Sequence, residues 1–209
     1  MAYDSYANFQ SAIYTRLGIS SSDITTTSLD DCIRDAEDII NRALRVPEME
    51  TQITNTAVVT TGGVITMPSN YADAKDLYLN ASTLISLSKK TAEWIFRNYP
   101  NRSATGRPAF FAEEGNNFIF GPYPDSAYTM QGIYYAKPAS LPGTATINSV
   151  FSAYPTIYLA ASCAEAERVL RRFESAAMWD ARAAGLIGQA NDAAKRRAFS
   201  GSPLRIAPG

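Results

Sequence analysis

The hydrophobic period of this chain changes twice, and no other feature limits its possible folds as much. Near both ends, apolar residues recur every three or four positions, which marks one face of an α-helix. Between about 51 and 148 they fall in short runs rich in Tyr, Phe, Val and Ile, broken by Gly, Pro and Asn. That is the pattern of β-strands and their turns. A helix with one apolar stripe must bury it against another element, so helices from the two ends are expected to pack together. The expected fold class is mainly α: a bundle of three to four helices from both chain ends, with a small antiparallel β subdomain inserted. The expected bounds are 1–50 plus 150–199 for the bundle, 51–149 for the β insertion and 200–209 for an extended C-terminal tail. A chain of 209 residues can bury a core of this kind.

Individual segments sharpen this outline. Phe9, Ile13 and Leu17 define a first helix over 4–17, with Gly18 as its stop. Ser28 is placed to cap a second helix whose apolar face is Leu29, Ile33, Ala36, Ile40, Ala43 and Leu44, ended by Pro47. Gly62-Gly63 and Asn80-Ala81-Ser82 read as hairpin turns. TAEWIFRNYP reads as a short helix ended by Pro100. Three strands follow, with turns at Gly115-Asn116-Asn117 and at Pro122-Tyr123-Pro124-Asp125. From 151 onward, Ile157, Ala161, Ala164 and Arg168 share a helical face. A last helix over about 174–199 carries Ala177, Trp179, Ala184, Ile187 and Ala194, and its Ala181, Ala184, Gly185 and Gly188 suit a close helix approach.

Composition then removes much chemistry. Histidine is absent, which excludes Ser-His-Asp and Cys-His catalysis and histidine-ligated metals. Two cysteines, Cys32 and Cys163, cannot build a disulfide framework or an all-cysteine zinc site, and they read as small buried hydrophobes. No phosphate-cradling glycine motif is present. Asp30, Asp31, Asp35, Glu37 and Asp38 cluster on the second helix, but they interleave with its apolar face and should point mostly to water. No cofactor and no metal is expected. The start MAYDSYANFQ lacks the basic flank and apolar run of a secretory signal, and no window reaches the roughly 18 apolar residues of a spanning helix. The chain is therefore expected to be intracellular and reduced, with no membrane partner.

Charge is uneven although the formal net charge is only −1. From residue 151 onward eight basic residues meet five acids, and the last fifteen residues hold Lys195, Arg196, Arg197 and Arg205 with no acid. A basic helix end complements the helix dipole. It also suits a docking arm, because Leu204 and Ile206 flank Arg205 between two prolines, in a segment too short and polar to fold alone.

Several stretches resemble the head–tail adaptor (connector) proteins of tailed bacteriophages. They are Pro68 to Tyr71, Tyr99-Pro100 after a Trp/Phe helix, Thr105-Gly106-Arg107-Pro108 with Phe110-Phe111, Glu114-Gly115-Asn116 leading to Phe120-Gly121-Pro122, Tyr134-Tyr135-Ala136-Lys137-Pro138, and Tyr154-Pro155 opening a helix with Ala164-Glu165-Ala166-Glu167. The resemblance implies a structural virion protein of the neck, made in the host cytoplasm. It implies a homo-oligomeric ring, a dodecamer, between the portal and the tail or nozzle, around a channel through which genomic DNA passes without sequence-specific binding. It assigns portal docking to Lys195, Arg196, Arg197, Leu204, Arg205 and Ile206, and tail or subunit contact to Phe110, Phe111, Tyr123 and Tyr134. Near-neutral charge is consistent with a channel that must not grip DNA.

Two other functions compete with this one. A nucleic-acid-binding module would use Arg168, Arg171, Arg172 and the terminal cations. A carboxylate-dependent cell-wall hydrolase would need two acids facing across a cleft, and adjacent Glu113 and Glu114 point to opposite faces of a strand. The chain is expected not to be an enzyme.

Overall fold

A computed structural model describes residues 3–56, 63–80, 84–100, 104–142 and 147–199. Contacts divide the chain into two units, Met1–Met49 with Pro138–Gly209, and Glu50–Lys137.

The first unit is helical. Helix α1 (Tyr6–Leu17) starts where the Ser5 hydroxyl accepts from the Asn8 N–H, and it stops at Gly18, which takes the left-handed conformation (φ 64°) that glycine adopts without strain. Helix α2 (Thr26–Ala43) begins earlier than expected. Its cap is Thr25, whose side chain accepts from the Ser28 N–H, so Ser28 lies inside the first turn. The helix also ends before Pro47, which instead opens a single 3-10 turn at Pro47–Met49. A short α4 (Ser149–Ala153) is capped by Asn148. Helix α5 (Pro155–Val169) has its proline at the first helical position, where no N–H is needed. Its buried residues run from Ile157 through Ala164 without a break, so α5 is the central helix and α1, α2 and α6 (Phe173–Phe199) pack around it. Phe9, Phe151 and Tyr158 interlock edge to face, with centroids 4.9 and 5.2 Å apart.

Helix α6 turns a different face inward from the one its sequence suggested. Ala176, Ala183, Ile187 and Ala190 are buried, whereas Ala177 and Ala184 are exposed. A Cβ added at Gly185 or Gly188 would meet nothing within 4 Å, so neither glycine serves a close helix approach among the described residues.

The second unit is built on strands. One sheet has the order β1 (Glu50–Thr56), β10 (Thr129–Ala136), β3 (Tyr71–Asn80), β4 (Leu84–Ser86). A second has the order β2 (Val64–Thr66), β8 (Asn117–Gly121), β7 (Phe110–Glu114), β5 (Ser88–Lys89). A third pairs β6 (Thr105–Gly106) with β9 (Tyr123–Pro124). The first two sheets share one core: Ile53, Leu77, Leu79, Met130 and Tyr134 from one meet Ile65, Phe111, Phe118 and Phe120 from the other. The opposite face of the second sheet, Ala112 and Ile119, is covered by Ile95 of helix α3 (Ala92–Asn98). Glu50 pairs with Tyr135, so the segment enters and leaves its sheet on neighbouring strands.

These observations correct the expected fold class. Ten strands in three sheets stand beside six α-helices among the described residues. The molecule is therefore not mainly α with a small β insertion. Nor is the β unit purely antiparallel, since β5–β7 and β6–β9 pair in parallel. The strands expected in 107–138 do not form one meander: β7 and β8 pair across Gly115, but β10 joins the other sheet. The expected turn at Pro122–Asp125 contains β9. Gly62 and Ala81–Ser82, two expected hairpin turns, lie outside the described residues, although β3 and β4 on either side of the latter do pair antiparallel. The reason for the difference is that strand pairing is decided by contacts between distant segments, which hydrophobic alternation within one segment does not encode.

Candidate docking surfaces

The basic end of α6 places Lys195, Arg196 and Arg197 in solvent. Lys195 stands 4.0 Å from Asp192, and the Arg197 guanidinium stands 4.0 Å from Glu48, at the outer limit of an ion pair. Exposed pairs of this length contribute little to stability. Leu204, Arg205 and Ile206, together with the whole expected tail 200–209, lie outside the described residues.

The four aromatic residues singled out from sequence divide. Phe111 and Tyr134 are core residues, 3% and 5% exposed, and the Tyr134 hydroxyl donates to Asn70 at 2.9 Å. Their surface is committed to the sheet-on-sheet core. Phe110 and Tyr123 are half-buried. Phe110 packs edge-on against Trp94 with centroids 4.8 Å apart, and the Lys90 ammonium lies over both rings at 5.3 and 5.7 Å. Tyr123 borders a pocket with Phe96, Tyr99 and Gly63. Helix α3 thus builds an aromatic corner around Trp94, Phe96, Tyr99 and Phe110, with a cation on it. Sequence reasoning named Phe110 and missed Trp94, Phe96 and Lys90. The signal was the Trp-Ile-Phe run in a helix too short to bury all three.

The candidate chemistry resolves into internal pairs. Glu113 accepts from the Tyr71 hydroxyl at 2.6 Å and from the Lys89 ammonium at 2.7 Å, and Lys89 also reaches Asp73 at 2.9 Å. Burial opposes the charge on Lys89, but its bonds to Glu113 and Asp73 outweigh that and hold its pKa above the usual lysine value. Burial, and then the Glu113 carboxylate, push the Tyr71 hydroxyl up. Glu113 is thus engaged in a bridge between strands of the two sheets rather than facing a second free acid.

The acids on α2 are likewise dispersed. Asp30 accepts from the Tyr6 hydroxyl at 2.5 Å and from Gln10 at 2.6 Å, and Asp31 pairs with Arg34 at 2.7 Å. Glu37 departs from the expectation that this cluster points to water, for it is buried. It accepts from the Ser140 hydroxyl at 2.5 Å and from the Leu141 N–H at 2.8 Å, which anchors the strand-exit segment on α2. Burial raises its pKa against the lowering effect of those bonds. No group of three or more metal-ligating side chains occurs among the described residues.

Cys32 and Cys163 are buried and free, and burial pushes their thiols up to about 11 and about 12. Thiols so placed stay protonated near neutrality and make poor nucleophiles. The Arg168 guanidinium is held between Glu165 and Asp180. Arg172 lies 3.6 Å from Glu167. Two of the three arginines that suggested nucleic-acid binding are therefore partnered within the fold. No helix among the described residues is long and apolar enough to cross a membrane.

A family model described as SU10 adaptor protein matches residues 4–207, nearly the whole chain. No curated protein matches it.

Proposed function

The chain belongs to the SU10 adaptor protein family, which makes it a phage adaptor, a virion component that contacts other phage head or tail proteins, and from this we propose how it makes those contacts. Copies assemble into a closed ring, a dodecamer by the family resemblance, between portal and tail. A heterologous interface repeated around an axis closes in this way. The C-terminal segment from Lys195 to Gly209 docks on the portal protein. The aromatic corner at Phe110 and Tyr123 faces the neighbouring subunit or the tail protein. Genomic DNA passes through the channel without sequence-specific contacts. The protein acts by shape and turns over no substrate.

The observation that carries this reading is the family match across 4–207. Two further observations support its details. The end of α6 offers three exposed cations leading into a segment with two aliphatic residues. The corner on α3 offers the half-buried rings of Trp94 and Phe110, and aromatic residues are a type that interface cores favour.

The test mixes full-length protein with purified portal rings, then repeats the mixing after deletion of residues 200–209. Loss of at least tenfold in affinity is expected. Unchanged binding would discard the docking role of the tail. Imaging of the native particle checks location and symmetry together.

A further inference from the structure

The sheet β1–β10–β3–β4 turns Ile53, Leu77, Leu79, Met130 and Tyr134 into the core. Side chains alternate along a strand, so Gln52, Thr54, Tyr78, Gln131 and Ile133 stand on the opposite face. Register sets them in rows. Thr54, Gln131 and Tyr78 lie side by side across three strands, and Gln52 lies beside Ile133. With Leu84 of β4, these side chains line a pocket of about 280 Å³. That is close to the lower end, roughly 300 Å³, of small-molecule sites. Among the described residues no charged side chain lines it. The stretches that adjoin these strands in sequence, 55–62 and 81–83, hold no charged residue either. Asp76 stands beside Ile133 in the same row, outside the lining.

The polar groups of this pocket have nothing in the chain to bond. Among the described residues the side chains of Gln52, Thr54, Tyr78 and Gln131 make no hydrogen bond. Half-buried Tyr71, Tyr128 and Tyr154, by contrast, each donate to a carboxylate of the chain. Tyr78 is half-buried as well and donates to none. We propose that this face of the sheet binds a neutral sugar ring. An anionic ligand would find no cation here, and a charge leaving water needs a partner. A wholly apolar ligand would strip water from two amides, a hydroxyl and a phenol without replacing the bonds. A pyranose meets both conditions. It carries no charge, and its hydroxyls each donate and accept, as the amides of Gln52 and Gln131 do. Its C–H face suits the electron-rich face of an aromatic ring such as Tyr78, beside the aliphatic Ile133 and Leu84. Leu84 is 67% exposed, apolar surface that such a contact would cover. The inference goes beyond the adaptor role and does not rest on it.

The test titrates the full-length protein with neutral tetrasaccharides built from glucose, mannose or galactose, and with their sulfated forms as charged controls. Saturable binding of at least one neutral sugar is expected, with its sulfated form bound at least tenfold more weakly. Gln131→Leu and Tyr78→Ala should each weaken that binding at least tenfold. Gln52→Leu, at an exposed position on the edge strand, serves as the variant least able to disturb folding, and it should weaken binding several-fold with the thermal midpoint unchanged. No saturable binding to any of the neutral sugars would overturn the proposal. So would an affinity that Gln52→Leu and Gln131→Leu leave unmoved, or one that favours the sulfated forms. Binding of a Gln- and Thr-rich decapeptide, with no sugar bound, would overturn it in favour of a protein partner.

Discussion

At the scale of single residues, burial decides what each polar group does. Glu37 is the clearest case, because its carboxylate serves two donors, Ser140 and Leu141, inside the helical unit. Replacing it by Ala leaves both donors without an acceptor, and the expected loss is about 1–3 kcal/mol of stability. Its pH behaviour has a definite sign. Burial raises its folded pKa above the ordinary carboxylate value. The folded state then holds the proton more tightly than the unfolded one, so stability falls as pH rises from about 4.3 through the raised folded value. The thermal midpoint of the native protein should drop over that rise relative to Glu37→Gln, measured from pH 4 to 7. A constant difference between the two proteins would refute the assignment. Glycines make the opposite point. A Cβ at Gly132 would lie 2.1 Å from the Asp76 carbonyl oxygen, backbone that cannot swing aside. Gly132→Ala should cost at least about 2 kcal/mol by overpacking. Gly185→Ala, with open space around it, should instead stabilise by about 0.5–1 kcal/mol. Denaturant midpoints of the two variants should move in opposite directions.

At the scale of elements, side chains of one helix complete the ends of another. Asn191 of α6 accepts from the Arg45 N–H at 2.8 Å and donates to the Ala43 carbonyl at 2.9 Å, so it closes the C-terminal end of α2. Helix ends leave such groups unpaired otherwise. Asn191→Ala should cost about 1–3 kcal/mol. Hydrogen exchange should reveal faster opening at Arg45 while the amides of β10 keep their protection. Legibility from sequence varied at this scale for a physical reason. On α2, Leu29, Ile33, Ala36 and Ile40 stand out against Asp, Glu and Arg, and all four are buried. On α6, alanine and glycine occur on every side, so the sequence offers little contrast between faces. Of the expected Ala177, Trp179, Ala184, Ile187 and Ala194, only Ile187 is fully buried.

At the scale of the whole molecule, the β segment carries its own core and closes its own ends. Glu50 and Tyr135 are paired neighbours, so both ends of 50–137 are fixed by a strand pair of this unit's own sheet. Residues 50–137 made alone are expected to unfold cooperatively in urea, read by Trp fluorescence. A gradual, non-cooperative loss of signal would show that this unit needs the helices to fold. The adaptor role belongs to this scale as well. Family membership spans 4–207, yet no catalytic signature pointed to it, only turns and aromatic residues between Pro68 and Glu167, about half of the chain. The sequence by itself determined the helical ends, the Gly18 stop, the β character of the middle and the lack of histidine chemistry. Each of these follows from local spacing or composition. Tertiary structure alone decided that β8 and β10 belong to different sheets, that Phe111 and Tyr134 fill the core while Phe110 sits at a corner, and that Glu37 turns inward. Those outcomes depend on which distant segments meet, and water is excluded only after they have met.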